Sequence, residues 1–244
     1  MNKFIRFDSL TQIQKDQYKK AISNAFPSII GESQVIKNYW PKLEEYFPEY
    51  QLFLISDSGE LIGFMNMLPF QFGEELNQLP DRGWDWMFTK GIKDFDNKIK
   101  ANYLGGLQVI VRRKYKSQGY SKIILNHVKQ IVAKSKFSNL VIPIRPIFKH
   151  KFPMMSMSEY LSLKNGNEVY DPWIRTHLNG GADVIKVCNE SMIMKGDIKF
   201  WEAMFNRKII TSGQYELTGA LSLITINIER DSGRYVEPNI WIKY

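Results

Sequence analysis

Apolar residues recur along this chain with two periods, and the switches between them predict most of its elements. Leu10, Ile13, Tyr18 and Ile22 stand near helical spacing, so a helix is expected from about Thr11 to Asn24, after a short strand near Lys3 to Phe7. Ser33 can cap a second helix over Gln34 to Tyr46, which Pro48 ends. QLFLIS (Gln51 to Ser56) and LIGFMNM (Leu61 to Met67), around the turn Asp57 to Glu60, predict a hairpin. After a loop holding Pro69, Gly73 and Pro80, the run from Gly83 predicts a helix through Lys100. A strand follows over Leu104 to Val111, then a basic loop to Gly119, a helix over Tyr120 to Lys134 and a strand over Asn139 to Ile144. In that helix Ile123, Ile124, Val128, Ile131 and Val132 form one apolar face, and two apolar strands around such a helix predict a parallel pair. Further on, the pattern predicts a short helix at Asp171 to Leu178, a strand near Asp183 to Cys188 and a helix at Ile198 to Phe205. Strands at Leu221 to Glu229 and Tyr235 to Lys243 end the chain, with the turn Asp231 to Gly233 between them. With no repeat, low-complexity tract or linker, residues 1–244 are expected to form a single mixed α/β domain with an extended C-terminal part.

Composition narrows the classes. With 44% hydrophobic residues the chain can bury a core, which excludes disorder as its main state. A single cysteine makes neither an internal disulfide nor the Cys/His set of a zinc module, and three scattered histidines make no metal site. A reducing, cytoplasmic setting is expected. The N-terminal run lacks a signal-peptide core, and no segment approaches the ~18 uninterrupted apolar residues of a membrane span. The formal charge of +8 is concentrated: from Asn97 to Ser158 there are thirteen Lys or Arg and no Asp or Glu, while the rest of the chain is net acidic. Such a block points to an anionic partner: a nucleic acid, a membrane surface or a phosphorylated small molecule.

The chemistry sits in VIVRRKYKSQGYSKIIL, Val109 to Leu125. A strand stops, a basic loop with a glycine follows, and a small residue opens an amphipathic helix whose first N–H groups lack intrahelical partners. With the positive end of the helix dipole, these make an anion site suited to a pyrophosphate. Arg112, Arg113, Lys114, Lys116 and Lys122 add charge around it. The stretch is neither a Walker loop nor a Rossmann fingerprint, since GxxxxGK[ST] and GxGxxG are both absent.

This stretch resembles the acyl-CoA site of the Gcn5-related N-acetyltransferases (GNAT), whose Q/R-x-x-G-x-G/A pattern follows the fourth strand. Here Lys116-Ser117-Gln118-Gly119-Tyr120-Ser121 stands in its place, with Lys for the first Gln or Arg and Ser for the last Gly or Ala. The order of elements from Phe4 to Ile144 is similar to the family's. LPDRGWDW, LGGLQVIV, IRPIFKHKFP, YDPWIRTH and YVEPNIWIKY further resemble a longer bacterial subgroup and the GNAT-like loading domains of polyketide synthases. The resemblance implies a strongly twisted, mostly antiparallel sheet flanked by helices, with the parallel fourth and fifth strands splaying apart. The pantetheine arm of acetyl-CoA, or another acyl-CoA, would lie in that opening against the backbone of Val109, Ile110 and Val111, with pyrophosphate on the amides of Lys116 to Ser121.

Other candidates come from single residues. His177 suits proton transfer or recognition of a thioester-linked carboxylate, and Tyr160 and Tyr170 are candidate acids for the thiolate. Arg175 either holds an acceptor carboxylate or pairs with Asp171 one helical turn earlier. Trp84, Asp85 and Trp86 form an aromatic and acidic cluster that could line a substrate pocket. Cys188 reads as a buried strand residue, and His127 and His150 as structural or solvated. The leading expectation is acetyl transfer to a small-molecule amine. The alternative is decarboxylation, or S-acyl loading of a carrier-protein thiol; for this the loading domains use a Thr in an RPT block, where this chain has Arg145-Pro146-Ile147. A nucleic-acid module is disfavoured because no stacking-aromatic or helix-turn-helix pattern accompanies the basic block.

Overall fold

The computed structural model describes residues 2–23 and 25–244. The chain runs β1 (Lys3–Arg6), α1 (Gln12–Ser23), α2 (Ser28–Gly31), α3 (Gln34–Tyr46), β2 (Gln51–Ile55), β3 (Leu61–Phe70), α4 (Gly83–Asp96), β4 (Tyr103–Val111), α5 (Tyr120–Ala133) and β5 (Leu140–Ile144). It continues with α6 (Met157–Ser162), β6 (Lys164–Asn165), β7 (Glu168–Val169), α7 (Pro172–Leu178), β8 (Asp183–Gly196), α8 (Ile198–Phe205), β9 (Gly213–Tyr215), β10 (Ile224–Asn227) and β11 (Ser232–Lys243). The expected end of α1 at Asn24 lies outside the described residues. No helix among them is long and apolar enough to cross a membrane.

One mixed sheet organises the molecule. Strands β1 to β4 form an antiparallel meander, β4 pairs β5 in parallel, and β11 runs antiparallel to β5. Farther along the same edge β11 takes β10, and its other edge carries β8. Side chains alternate across the sheet. Met65 and Met67 of β3 face the α5, α6 and α7 layer with Ile124, Val128, Tyr160 and Ile174, while Leu68 and Phe70 face α3, α4 and α8 with Leu43, Phe88 and Trp201. Phe64, also on that second face, packs with Tyr18 of α1 and Phe53.

Three expectations needed correction. The strand expected to end at Cys188 runs on to Gly196, because its polar Asn189-Glu190-Ser191 is satisfied from outside. Glu190 N donates to Asp81 O, and the buried Ser191 hydroxyl donates to Asn239 and accepts from Trp84 N. The helix from Gly83 stops at Asp96, where Lys98 turns to a positive φ of 57°. The pattern missed α2, α6, β9 and the two-residue strands β6 and β7, which are too short to carry a period.

Candidate active site

Strands β4 and β5 share only two ladder pairs, Leu104 with Leu140 and Gly105 with Val141, and diverge beyond them. Arg112 N donates to Ile62 O of β3, and this sets the alternation of the strand. Ile110 turns its backbone to β3, while Val109 and Val111 turn theirs to the open side. Leu107 is an extra residue in β4, since Asn66 pairs with Gln108 but Met67 pairs with Gly106. The indole of Trp84 fixes this bulge by donating to Leu107 O (2.9 Å).

Past Val111 the chain builds an anion nest. Ser117 and Gly119 both take positive φ, 62° and 79°, which turns successive N–H groups to one side. Gly119 is the N-cap of α5 and offers no side chain to the helix; among the described residues no acceptor takes the N–H groups of Gln118, Gly119, Tyr120 or Ser121. Tyr120 packs edge-on to Tyr115. The basic charge around the nest is smaller than the sequence implies. Glu60, from the β2–β3 turn, pairs with Arg112 (2.9 Å) and Lys114 and accepts from Tyr115 (3.1 Å), and its carboxyl is held below the usual range chiefly by Lys114. Arg145 and Lys149, from the same basic block, point inward. Arg113, Lys116 and Lys122 remain exposed near the nest.

On the face away from α5, the first turn of α4 presents the expected cluster. Trp84 and Asp85 are buried, and Trp86 packs against Phe70, Phe72 and Trp241. Asp85 Oδ2 accepts from Ile193 N (3.0 Å), and Oδ1 is buried without a partner. Burial first, with Glu237 adding, pushes its carboxyl up to about 6 against the partial relief of Arg82, 3.9 Å away. Glu237 is wholly buried, paired with Arg145 (2.9 Å) and accepting from the Tyr235 hydroxyl (2.8 Å); Arg145 also donates to Gly219 O. Lys149, buried too, donates to Leu221 O and Phe152 O, and loss of solvent lowers it to about 8. These groups seal the end of β5 against the 219–221 segment. A cleft of about 480 Å³ lies elsewhere, between Met154 to Met157 and the β10–β11 hairpin.

The catalytic candidates gather in the other layer. His177 is buried in α7, shares a hydrogen bond through Nδ1 with the Tyr244 hydroxyl (2.8 Å) and packs edge-on to Trp173. Burial lowers its pKa to about 3, so the ring is neutral, and its Nε2 has no partner. The Tyr160 hydroxyl donates to Asp171 (2.8 Å), and burial raises its pKa. Tyr170 stands edge-on to Tyr160. Arg175 does not pair with Asp171. It reaches Glu168 (3.4 Å) and donates to Val169 O and Tyr170 O, because Asp171 caps α7 through Trp173 N and Ile174 N and also accepts from Phe148 N. Asp171-Pro172 is a legible cap signal that outweighs an ion pair. Thus Trp84 adjoins the strand opening on one face of the sheet, with Asp85 next to it in sequence and held against β8, and His177, Tyr160 and Tyr170 share the α6–α7 layer on the other.

Sequence reasoning missed a polar chain inside the first face. Gln108, beside the bulge, donates to Asn66 (2.7 Å), and Asn66 donates to Gln51 (2.9 Å) and to the Tyr18 hydroxyl (3.2 Å). Glu44 of α3 accepts from Trp40 (3.2 Å), interacts with Tyr18, and is raised by burial. Buried Gln and Asn in apolar strands were the available signal.

No family model matches the chain. It is 26% identical over 249 aligned residues to the arginine N-acetyltransferase avaD of Aspergillus versicolor, covering 91% of this chain and 85% of that protein. Among solved structures it is similar to the loading GNATL domain of CurA from Lyngbya majuscula, with a TM-score of 0.65 and 14% identity over 100% of this chain and 97% of that one. It is also similar to the GphF GNAT-like decarboxylase crystallised with isobutyryl-CoA, with a TM-score of 0.59 and 13% identity over 78% and 90% of the two chains. The splayed β4–β5 pair, the nest at the start of α5 and these relatives agree with the resemblance read from Lys116 to Ser121, and the chain has the GNAT fold.

Proposed function

We propose that this protein is an acyl-CoA-dependent N-acyltransferase that moves an acetyl group to the amine of a small molecule. The carrying observation is the β4 edge left unpaired beyond Gly105, which leads to a nest of unpartnered N–H groups at Gln118 to Ser121. These groups fit the coenzyme: an extended backbone edge for a pantetheine amide and a convergent set of donors for a diphosphate. When bound, acyl-CoA supplies an activated thioester; the amine nitrogen bonds to its carbonyl carbon, the C–S bond breaks, and coenzyme A leaves as its thiol. Val109 and Val111 would align the arm, the nest would hold its anionic end, and Trp84 would steady the bulge where the thioester meets the acceptor. Asp85, with one free oxygen and a pKa of about 6, is suited to take the proton that the amine sheds.

The avaD relative supports arginine or a similar cationic amine as acceptor, and the buried Asp85 carboxylate suits a positive charge. Ile147, exposed where the loading domains carry a Thr, gives decarboxylation of a carrier-loading substrate no hydroxyl. A cytoplasmic setting is part of the proposal. Thermal-shift titration with acetyl-CoA and coenzyme A, followed by mass spectrometry of arginine and other amines incubated with acetyl-CoA, tests the reading. No stabilisation by either ligand at millimolar concentration refutes it.

A further inference from the structure

The strand pair that opens toward the nest closes at a defined depth, and what closes it is side chain. The last ladder pair is Gly105 with Val141, so an arm entering from the nest along Val111 and Val109 is aimed at Gly106. Five residues of strand at ~3.3 Å each span about 17 Å. An extended pantetheine arm, a chain of about a dozen bonds of ~1.5 Å laid in zigzag, has a similar reach. A thioester at the Leu107 bulge therefore directs its acyl tail into the crotch above Gly106.

That crotch is filled from both faces over two bare glycines. A Cβ on Gly106 would stand 2.9 Å from Cγ1 of Ile142 and 2.9 Å from Cε of Met65, and one on Gly105 would stand 2.6 Å from Sδ of Met87. Ile142, Met65 and Met87 are all buried. Ile142 is the next β5 residue after the last pair, so its side chain occupies the point where the strands part. A β-branched residue there is stiff, whereas the unbranched Met65 can yield.

We infer that Ile142 and Met65 form the floor of the acyl pocket and restrict the donor to a short acyl group, acetyl or propionyl. The inference rests on the coenzyme reading above. It makes Ile142 the fixed part of the stop and Met65 the adjustable part.

Affinities for free coenzyme A, acetyl-CoA, butyryl-CoA and hexanoyl-CoA, measured by calorimetry on the wild type, Ile142→Ala and Met65→Ala, test it. The wild type is expected to bind butyryl-CoA and hexanoyl-CoA more weakly than acetyl-CoA. In Ile142→Ala the order reverses, each accommodated methylene tightening binding about fourfold, so that butyryl-CoA gains about fifteenfold over acetyl-CoA. Met65→Ala shifts the same order by less. Ile142→Val, a milder core change, serves if the alanine variant does not fold, and is expected to improve propionyl-CoA relative to acetyl-CoA. Equal wild-type affinity for acetyl-CoA and hexanoyl-CoA overturns the floor, as does an unchanged order in variants that still bind free coenzyme A. Failure of the wild type to bind free coenzyme A instead overturns the coenzyme reading, so the two failures are distinguishable.

Discussion

Replacing Gly119 by alanine isolates the anion nest from the rest of the site. Gly119 has φ of +79°, and a Cβ placed on it meets nothing within 4 Å, so the substitution is a backbone perturbation and not a clash. Holding an L residue in that left-handed region costs about 1–2 kcal/mol. The 116–119 loop is exposed, so the free variant relaxes and sheds most of the strain. Its melting temperature falls by no more than about 2–4 °C, taking ~2.1 cal/mol/K per residue for the unfolding entropy. Binding must then restore the turn, so the same 1–2 kcal/mol reappears as about 5–30-fold weaker affinity for coenzyme A. Gly166, at φ of +60° and equally open, supplies the matched control, and Gly166→Ala is expected to leave the coenzyme affinity unchanged. Calorimetric titration of the three proteins with coenzyme A measures this directly. Wild-type affinity in Gly119→Ala, or an equal loss in Gly166→Ala, would refute the assignment of the nest.

Asp85 and His177 give opposite pH signatures, and the buried ion pair gives a third test. Burial raises Asp85 to about 6 from 3.8, so stability is lost as pH rises from about 3.8 to about 6 and changes little above that; Asp85→Asn should stabilise the protein by up to about 3 kcal/mol at pH 8 and by about half as much at pH 5, while lowering acetyl transfer. His177 is lowered to about 3 from 6.5, so its contribution is complete above pH 6.5 and is lost as pH falls toward 3; denaturant midpoints should fall across that window, with a shallower slope in His177→Asn. Glu237→Gln leaves the Arg145 guanidinium uncompensated and should cost about 3–5 kcal/mol, whereas adding Arg145→Met to it should recover part of that loss; additive losses would show that the pair is not coupled.

What the sequence made legible is what local chemistry dictates. Helix α3 matches its expected span because Ser33 accepts from Ile36 N and no distant contact is needed to start it. The nest was readable for the same reason: a glycine before an amphipathic helix is a requirement of the turn itself. Strand β8 was cut short because the groups that keep Asn189 to Ser191 extended, Asp81, Trp84 and Asn239, lie far away in the sequence. The thirteen-residue excess of basic charge read as a single field, yet Arg145 is spent on Glu237, Arg112 and Lys114 on Glu60, and Lys149 on two carbonyls. Each of those partners is set by topology, and a count along the chain is blind to topology.

The same division separates the two halves of the site. The nest is encoded in one run of residues, Lys116 to Ser121, and on this reading the nest and the β4 edge hold the donor. On the same reading the acceptor side is assembled from α4, β8 and β11, with Asp85 resting on Ile193 N, and with Glu237 tying β11 to the end of β5 through Arg145. Trp84 joins the halves, because its indole holds the β4 bulge while its own N–H rests on Ser191 of β8. A substitution in β8 or β11 can therefore reshape the acceptor side without altering the coenzyme loop, provided Ser191 and Leu107 keep Trp84 in place. On the proposed reading, acceptor choice is written in strands that the donor motif does not touch, so exchanging residues of β8 or β11 is expected to change the preferred amine while leaving coenzyme A affinity unchanged.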